Sequence, residues 1–214
     1  MTIWKDRRDA GRHLAEKLAM YRGADAVVIA LPRGGVVVGH EVACNLALPL
    51  DAIVTRKIGH PLSPEYAIGV VDERGMNLLN EREAASVGRE WLEKEIIKER
   101  KEARRRSDSY RAGKGTLYLR GKISILVDDG IATGYTMRLA VKAAKRGRPK
   151  RIIVAVPVAP PEAVSVLMEE ADEVIVLDDP EKFKGAVGLH YAAFGQVDDD
   201  EVIGLLHSSS LLAR

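Results

Sequence analysis

Residues 125–137 read Ile125-Leu126-Val127-Asp128-Asp129-Gly130-Ile131-Ala132-Thr133-Gly134-Tyr135-Thr136-Met137. An apolar run that begins at Ile123 stops at two adjacent carboxylates, turns through small residues and enters a helical pattern. Gly130 and Gly134 can take positive φ and let backbone approach a ligand. Thr133 and Thr136 add hydroxyls to the loop N–H groups that converge on an anion at a helix N-terminus. Asp128 and Asp129 would repel that anion, so they must face away from it, toward sugar hydroxyls or a cation. An Asp-capped strand–turn–helix junction accounts for one acid and one glycine. It leaves the second acid and Thr-Gly-x-Thr unexplained. The run has neither the Gly-Lys-Ser/Thr ending of a Walker A loop nor a G-x-G-x-x-G pattern. Its chemistry suits a ligand carrying vicinal hydroxyls and a phosphate, as ribose 5-phosphate does.

Outward from this run, short apolar segments alternate with helical ones. Strands are expected at residues 26–31, 50–55, 122–128, 151–157 and 173–178, and helices at 6–21, 36–46, 136–146 and 161–170. Strands that are apolar on both faces, alternating with helices, indicate an α/β fold with a parallel sheet covered on both sides. Such sheets bind ligands beyond the strand carboxyl ends. Residues 56–80, rich in Gly and Pro, interrupt the rhythm and read as a long loop or hairpin and a candidate mobile lid. Residues 81–111 form a charged helical insertion expected to turn Trp91, Leu92, Ile96 and Ile97 inward. Its basic point, Arg104-Arg105-Arg106, is diluted by Glu93, Glu95, Glu99 and Glu102.

The 214 residues fit one domain spanning 1–214, with a net charge of only +2. No global basic field argues for nucleic acid or membrane binding. The single cysteine, Cys44, excludes an intramolecular disulfide and reads as a small core residue, consistent with a cytoplasmic setting. No long apolar span or leader segment is evident.

A second anion site is written at Leu31-Pro32-Arg33-Gly34-Gly35, where a guanidinium and two glycines sit between a strand and a helix. Arg56 and Lys57 follow the next strand.

Val127-Asp128-Asp129-Gly130-Ile131-Ala132-Thr133-Gly134-Tyr135-Thr136-Met137 resembles the phosphoribosyl pyrophosphate (PRPP) loop of type I phosphoribosyltransferases. Nearly the whole chain is similar to an uncharacterised prokaryotic group within that family. The resemblance implies a type I phosphoribosyltransferase-like sheet with a small hood. Asp128 and Asp129 would bind the ribose hydroxyls, and residues Gly130, Ile131, Ala132, Thr133, Gly134, Tyr135 and Thr136 the 5-phosphate. Arg33, Gly34 and Gly35 match the family's pyrophosphate loop, which often holds a cis or strained peptide before Arg33 or Gly34. Thr55-Arg56-Lys57-Ile58-Gly59 is similar to the segment that opens the catalytic loop of adenine phosphoribosyltransferases. Arg33, Arg56 and Lys57 are therefore the electrostatic catalytic candidates, and no general base is assigned.

Residues 178–196 resemble the hood of hypoxanthine phosphoribosyltransferases, placing Phe183 and, more weakly, Val187 against an acceptor ring. Three departures, His190, Ala159 and Ala132, stand where purine enzymes carry Asp, Lys and an acid, and purine specificity loses its support. The resemblance implies Mg²⁺, held mainly through PRPP with weak help from Asp128 and Asp129. It also implies a heterocyclic or amine acceptor, a role in nucleotide metabolism and a homo-oligomer, a dimer in the first instance. The expected reaction is transfer of the 5-phosphoribosyl group to a nitrogen nucleophile with release of pyrophosphate. The alternative is a regulatory protein that binds PRPP without turnover.

Overall fold

The computed structural model describes residues 3–113, 115–116 and 118–212, with side chains to Ser208. The ends of the expected 1–214 unit, and residues 114 and 117, lie outside the described residues.

A five-stranded parallel sheet has the order β2-β1-β6-β7-β8. Its strands are β1 (Ala26–Ala30), β2 (Leu50–Ala52), β6 (Ile123–Val127), β7 (Arg151–Val156) and β8 (Glu173–Val176). Helices α1 (Arg7–Lys17), α2 (Gly34–Leu46), α5 (Tyr135–Arg146), α6 (Pro161–Glu170) and α7 (Asp199–Leu212) cover it. Successive strand side chains point to opposite faces, and the two cores divide accordingly. Val28, Ala30, Ile125 and Val127 pack with Leu14, Val38, Val42 and Val202 on one face. Val27, Ile29, Leu126 and Val154 pack with Met137, Ala140, Ala163 and Leu167 on the other.

The expected strands and helices of the sheet layer are present, with differences at their edges. The 6–21 helix ends at Lys17, and Ala19–Tyr21 forms a separate 3₁₀ turn. The 50–55 strand stops at Ala52 because the chain changes sheets there. The Ile53 N–H still donates to Ala30 O at 3.1 Å, whereas Val54 O already accepts from the Glu73 N–H at 3.2 Å.

Residues 56–80 are largely strand. β3 (Thr55–His60), β4 (Ser63–Asp72) and β5 (Asn77–Leu79) make an antiparallel meander. The helical stretch after it breaks at Val87-Gly88 into α3 (Glu81–Ser86) and α4 (Arg89–Arg111). Trp91, Leu92 and Ile96 pack onto Ile58, Ile68 and Val71 of the meander. Ile97 does not; it is 66% exposed, about 100° around the helix from Ile96 and outside the stripe that faces the meander.

Helix α7 was not among the expected elements. The Asp198 side chain before it accepts the Glu201 N–H at 2.8 Å, an N-cap that the acidic run 198–201 spells out.

The sheet's connections explain where a ligand belongs. From β1 the chain moves to β2 on one side, while β6, β7 and β8 build outward on the other. The order reverses between β1 and β6, and the crevice beyond their carboxyl ends is the topological switch point. Register brings Ala30 beside Val127, so Leu31-Pro32-Arg33 and Asp128-Asp129 emerge side by side.

α4 and α7 are joined by a buried polar contact, the Tyr110 hydroxyl donating to Asp199 Oδ1 at 2.6 Å. Tyr110 is 1% exposed, and burial first, then this hydrogen bond, pushes its phenol up to about 12. Tyr110→Phe is expected to lower unfolding free energy by about 1.5–3 kcal/mol, the range for a hydrogen bond to a charged group. Chemical denaturation monitored by far-UV circular dichroism measures it.

Candidate functional site

The site grows from two helix N-termini. Gly134, at φ +80°, caps α5 without a side-chain hydrogen bond, and Arg33 caps α2 likewise. Neither helix has an acid in its first turn. Among the described α-helices these two alone lack both features; α1, α3, α4, α6 and α7 each begin with an acid. Helix starts ordinarily recruit carboxylates to their unpaired N–H groups and positive dipole end. Two that do not, emerging from adjacent strands, leave their first-turn N–H groups without a side-chain acceptor. The Pro32–Arg33 peptide between β1 and α2 is cis.

The acid pair and the Arg-Gly-Gly loop touch. A Cβ on Gly34 would stand 1.9 Å from Asp129 Oδ2, and one on Gly35 would stand 2.7 Å from Asp128 Oδ1. Both glycines are thus required by the approach of the carboxylates. Gly130 has the same constraint from the hood, where its Cβ would meet Val187 Cγ1 at 2.5 Å. Ile131 is buried and donates its N–H to Val158 O at 2.9 Å, which anchors the loop. Ala132 and Thr133 are exposed, while Tyr135 and Thr136 are half-buried.

Asp128 Oδ1 accepts the Asp129 N–H at 2.8 Å. Burial pushes the Asp128 carboxyl well above the usual carboxylate range, and the neighbouring Asp129 charge adds to the effect. Asp129 is held from another direction. Its Oδ2 accepts from Arg7 Nε at 2.7 Å, and its backbone oxygen accepts the Tyr191 hydroxyl at 2.5 Å. The Arg7 guanidinium lies 3.8 Å from the Phe194 ring centre and donates through Nη1 to Gly195 O at 2.7 Å. Burial, followed by the Asp129 charge, raises the Tyr191 phenol far above its usual value.

Sequence reasoning missed Arg7 and Tyr191. Arg7 is one of several cations on an amphipathic helix, with nothing local to mark it. Tyr191 lies inside the expected hood, and its hydroxyl partner is visible only in three dimensions.

Arg33, Arg56, Lys57 and Thr136 line a common cavity of about 710 Å³, together with Thr55, His60 and Trp91. Asp128 and Asp129 are not among the residues that line it. Two of its cations are already engaged. Arg56 Nε donates to Glu99 Oε2 at 2.8 Å, and Arg33 Nη1 lies 3.8 Å from Asp199 Oδ1. Lys57 is exposed.

In the hood, Phe183 stacks on His190 with ring centres 5.4 Å apart and planes 17° from parallel. Phe183 belongs to a small apolar group that includes Trp4, Val158, Tyr191 and Val187. His190 is buried; its Nε2 accepts the Lys184 N–H at 3.1 Å, and its Nδ1 faces Asp178 Oδ2 at 3.5 Å. The N-terminal segment clamps the hood through Trp4 N–H to His190 O at 2.9 Å and Ala192 N–H to Trp4 O at 2.8 Å.

The phosphoribosyl transferase domain family matches residues 2–192. The chain belongs to this family. Two Mycobacterium tuberculosis proteins, from strains CDC 1551 and H37Rv, each named "Putative phosphoribosyl transferase", are 40% identical over 208 residues, covering 96% of the chain and 47% of the relative. The chain therefore spans about half the length of the curated relatives it matches. The crystal structure of TT1426 from Thermus thermophilus is similar over 97% of this chain and 99% of that one, at 42% identity and a TM-score of 0.80. The fold is accordingly that of the type I phosphoribosyltransferases, a parallel five-stranded sheet between helices. Among the described residues no helix is long and apolar enough to cross a membrane.

Gly34→Ala and Arg7→Ala act on the same carboxylate, one by displacing it and the other by removing its partner. Each is expected to lower stability, and the pair to be non-additive by about 0.5–3 kcal/mol, as for residues in one ion-pair network. Denaturant unfolding of the wild type, both single variants and the double variant reads the coupling.

Proposed function

We propose that the chain transfers the 5-phosphoribosyl group of PRPP to a nitrogen nucleophile with release of pyrophosphate. The observation that carries this reading is the pair of uncapped, acid-free helix starts, α2 and α5, beside two carboxylates at one switch point. A donor with a phosphate at one end, a diphosphate at the other and vicinal hydroxyls between them matches that set of groups.

In this reading the 130–136 loop takes the 5-phosphate through the α5 N–H groups and the Thr133 and Thr136 hydroxyls. Asp128 and Asp129 accept from the ribose hydroxyls. Arg33, Gly34 and Gly35 hold the diphosphate at the start of α2. As the nitrogen lone pair forms its bond to ribose C1, the C1–oxygen bond breaks and its electron pair leaves on pyrophosphate. Arg33, Arg56 and Lys57 stabilise that developing charge. Arg33 and Arg56 must exchange Asp199 and Glu99 for phosphate oxygens to do so. Phe183 and Val187 form the acceptor wall, with the face of Phe183 opposite His190 as the surface for a ring. The acceptor is a nitrogen heterocycle or amine, and its proton leaves to solvent.

Mg²⁺ fits this site only in part through protein ligands. No group of three or more His, Cys, Asp or Glu suited to a metal occurs among the described residues. Asp128 offers one carboxylate, and Asp129 already commits an oxygen to Arg7. Such a sparse set suits an ion that keeps waters and binds chiefly through substrate phosphates. When bound there, Mg²⁺ would neutralise charge on the diphosphate.

Titration calorimetry with PRPP and Mg²⁺ tests the donor assignment. Asp128→Asn/Asp129→Asn is expected to weaken PRPP by about tenfold or more, the loss of one to two charged hydrogen bonds, with an unchanged circular dichroism spectrum. Undiminished affinity in that variant, or no saturable binding to the wild type, overturns the assignment. Pyrophosphate release on adding a panel of heterocycles and amines separates a transferase from a protein that binds PRPP without turnover.

A further inference from the structure

A second cavity, of about 390 Å³, opens at the opposite end of α5 from the phosphate loop. Thr136 belongs to the first turn of this 12-residue helix and Arg146 to its last, so the two places are about 15 Å apart along the axis. The floor is apolar, formed by Ile29, Ile53, Leu119 and Ala143. The rim carries Arg74, Arg120, Arg146 and Arg148, all exposed. None of the four forms an ion pair with a described residue; Arg74 reaches only Thr116 Oγ1, at 3.4 Å.

The acids of the cavity are turned to other partners. Asp51 Oδ1 and Glu73 Oε1 lie 3.2 and 3.6 Å from the Arg111 guanidinium. Asp72 Oδ1 accepts the N–H groups of Arg74 and Met76 at 2.9 and 2.7 Å. No ion pair with a described residue therefore neutralises the rim, although the Arg74 charge acts on Glu73 and opposes the rise of its carboxyl. The negative end of α5 accounts for a cation at Arg146. It does not account for Arg74 and Arg120, which come from other segments of the chain.

One buried oxygen in the wall has no hydrogen-bond partner among the described residues. The Glu73 side chain is 10% exposed, and its Oε2 accepts no hydrogen bond from any of them. Burial raises its carboxyl above the usual range. A buried oxygen of this kind is costly unless something donates to it. Tyr118 adds an aromatic ring, 66% exposed, to the same wall.

We propose that this cavity binds a nucleotide, with its phosphates on the arginine rim and its base on the apolar floor, donating an N–H to Glu73. Inorganic phosphate would satisfy the rim alone and leave the floor and Glu73 unused. A neutral nucleoside would do the reverse. The volume falls within the usual range for small-molecule sites. The site is separate from the phosphoribosyl site and does not depend on the assignment of PRPP.

The test is calorimetric titration of the full chain with GMP, AMP, guanosine and inorganic phosphate. At least one nucleotide is expected to bind saturably and about tenfold or more tighter than guanosine or phosphate. Arg146→Glu/Arg148→Glu is expected to lose that binding about tenfold or more, because two phosphate contacts become repulsive. Both positions are exposed, and an unchanged thermal melt reports an intact fold. Glu73→Gln is expected to alter the ranking of GMP against AMP. Asp128→Asn/Asp129→Asn is expected to leave binding intact. Absence of saturable nucleotide binding overturns the proposal. So does affinity that survives Arg146→Glu/Arg148→Glu, or that falls with Asp128→Asn/Asp129→Asn, since the nucleotide would then sit at the switch point.

Discussion

Two carboxylates placed side by side at the end of a buried strand are the constraint around which this molecule is arranged. Burial raises the Asp128 carboxyl, and Asp129 raises it further. Like charges in a desolvated place are unfavourable unless other groups answer them. Here the answer comes from elements distant in sequence. Arg7 of α1 pairs with Asp129, the Tyr191 hydroxyl ties down its backbone, and Gly34 and Gly35 leave the room that the carboxylates occupy. Truncating one member of such a partly buried set leaves an uncompensated charge, which costs more than the pair contributes when intact. The N-terminal helix and the hood are thus bound to the central loop by electrostatics as well as by packing.

The cavity beside the acids follows the same logic with the signs exchanged. Arg56 and Arg33 are held by Glu99 and Asp199. Glu99 is buried on α4, and Asp199 begins α7, where Tyr110 also donates to it. Cations gathered around one cavity repel one another unless nearby carboxylates answer them. Internal carboxylates remove that repulsion and fix the side chains near the place of use. They also set a threshold, because a ligand must offer enough negative charge to displace them. A ligand carrying more negative charge would displace them more readily.

The legible part of this structure was local. The alternation of apolar strands and helices placed the sheet, because strands covered on both faces have a composition that hairpins and loops do not share. The Asp128-Asp129 run and the Arg33-Gly34-Gly35 turn were legible because glycine, threonine and paired acids at a strand end have few other reasons to occur together. What the sequence did not disclose were pairings between distant elements. Arg7 with Asp129 and Tyr110 with Asp199 depend on how helices lie across the sheet, and no periodicity encodes that. Residues 56–80 form more strand than their glycine and proline content suggests. Gly59 and Gly69 look like loop residues, yet each lies in a strand where a Cβ would meet the neighbouring strand, at 2.2 Å from Pro64 O and 2.5 Å from Leu79 Cδ2. Glycine in such a place marks close backbone approach and bulging rather than disorder.

Helix α5 connects the two charge systems. Its N-terminus follows the Gly130–Gly134 turn, its middle packs into the core through Leu139, Ala140 and Val141, and its C-terminus contributes Arg146 to the second cavity. A helix buried along one face cannot bend locally without opening that core, so a displacement at one end is carried to the other as a rigid shift. Gly134, in the left-handed conformation at the N-cap, is where the loop would absorb such a shift.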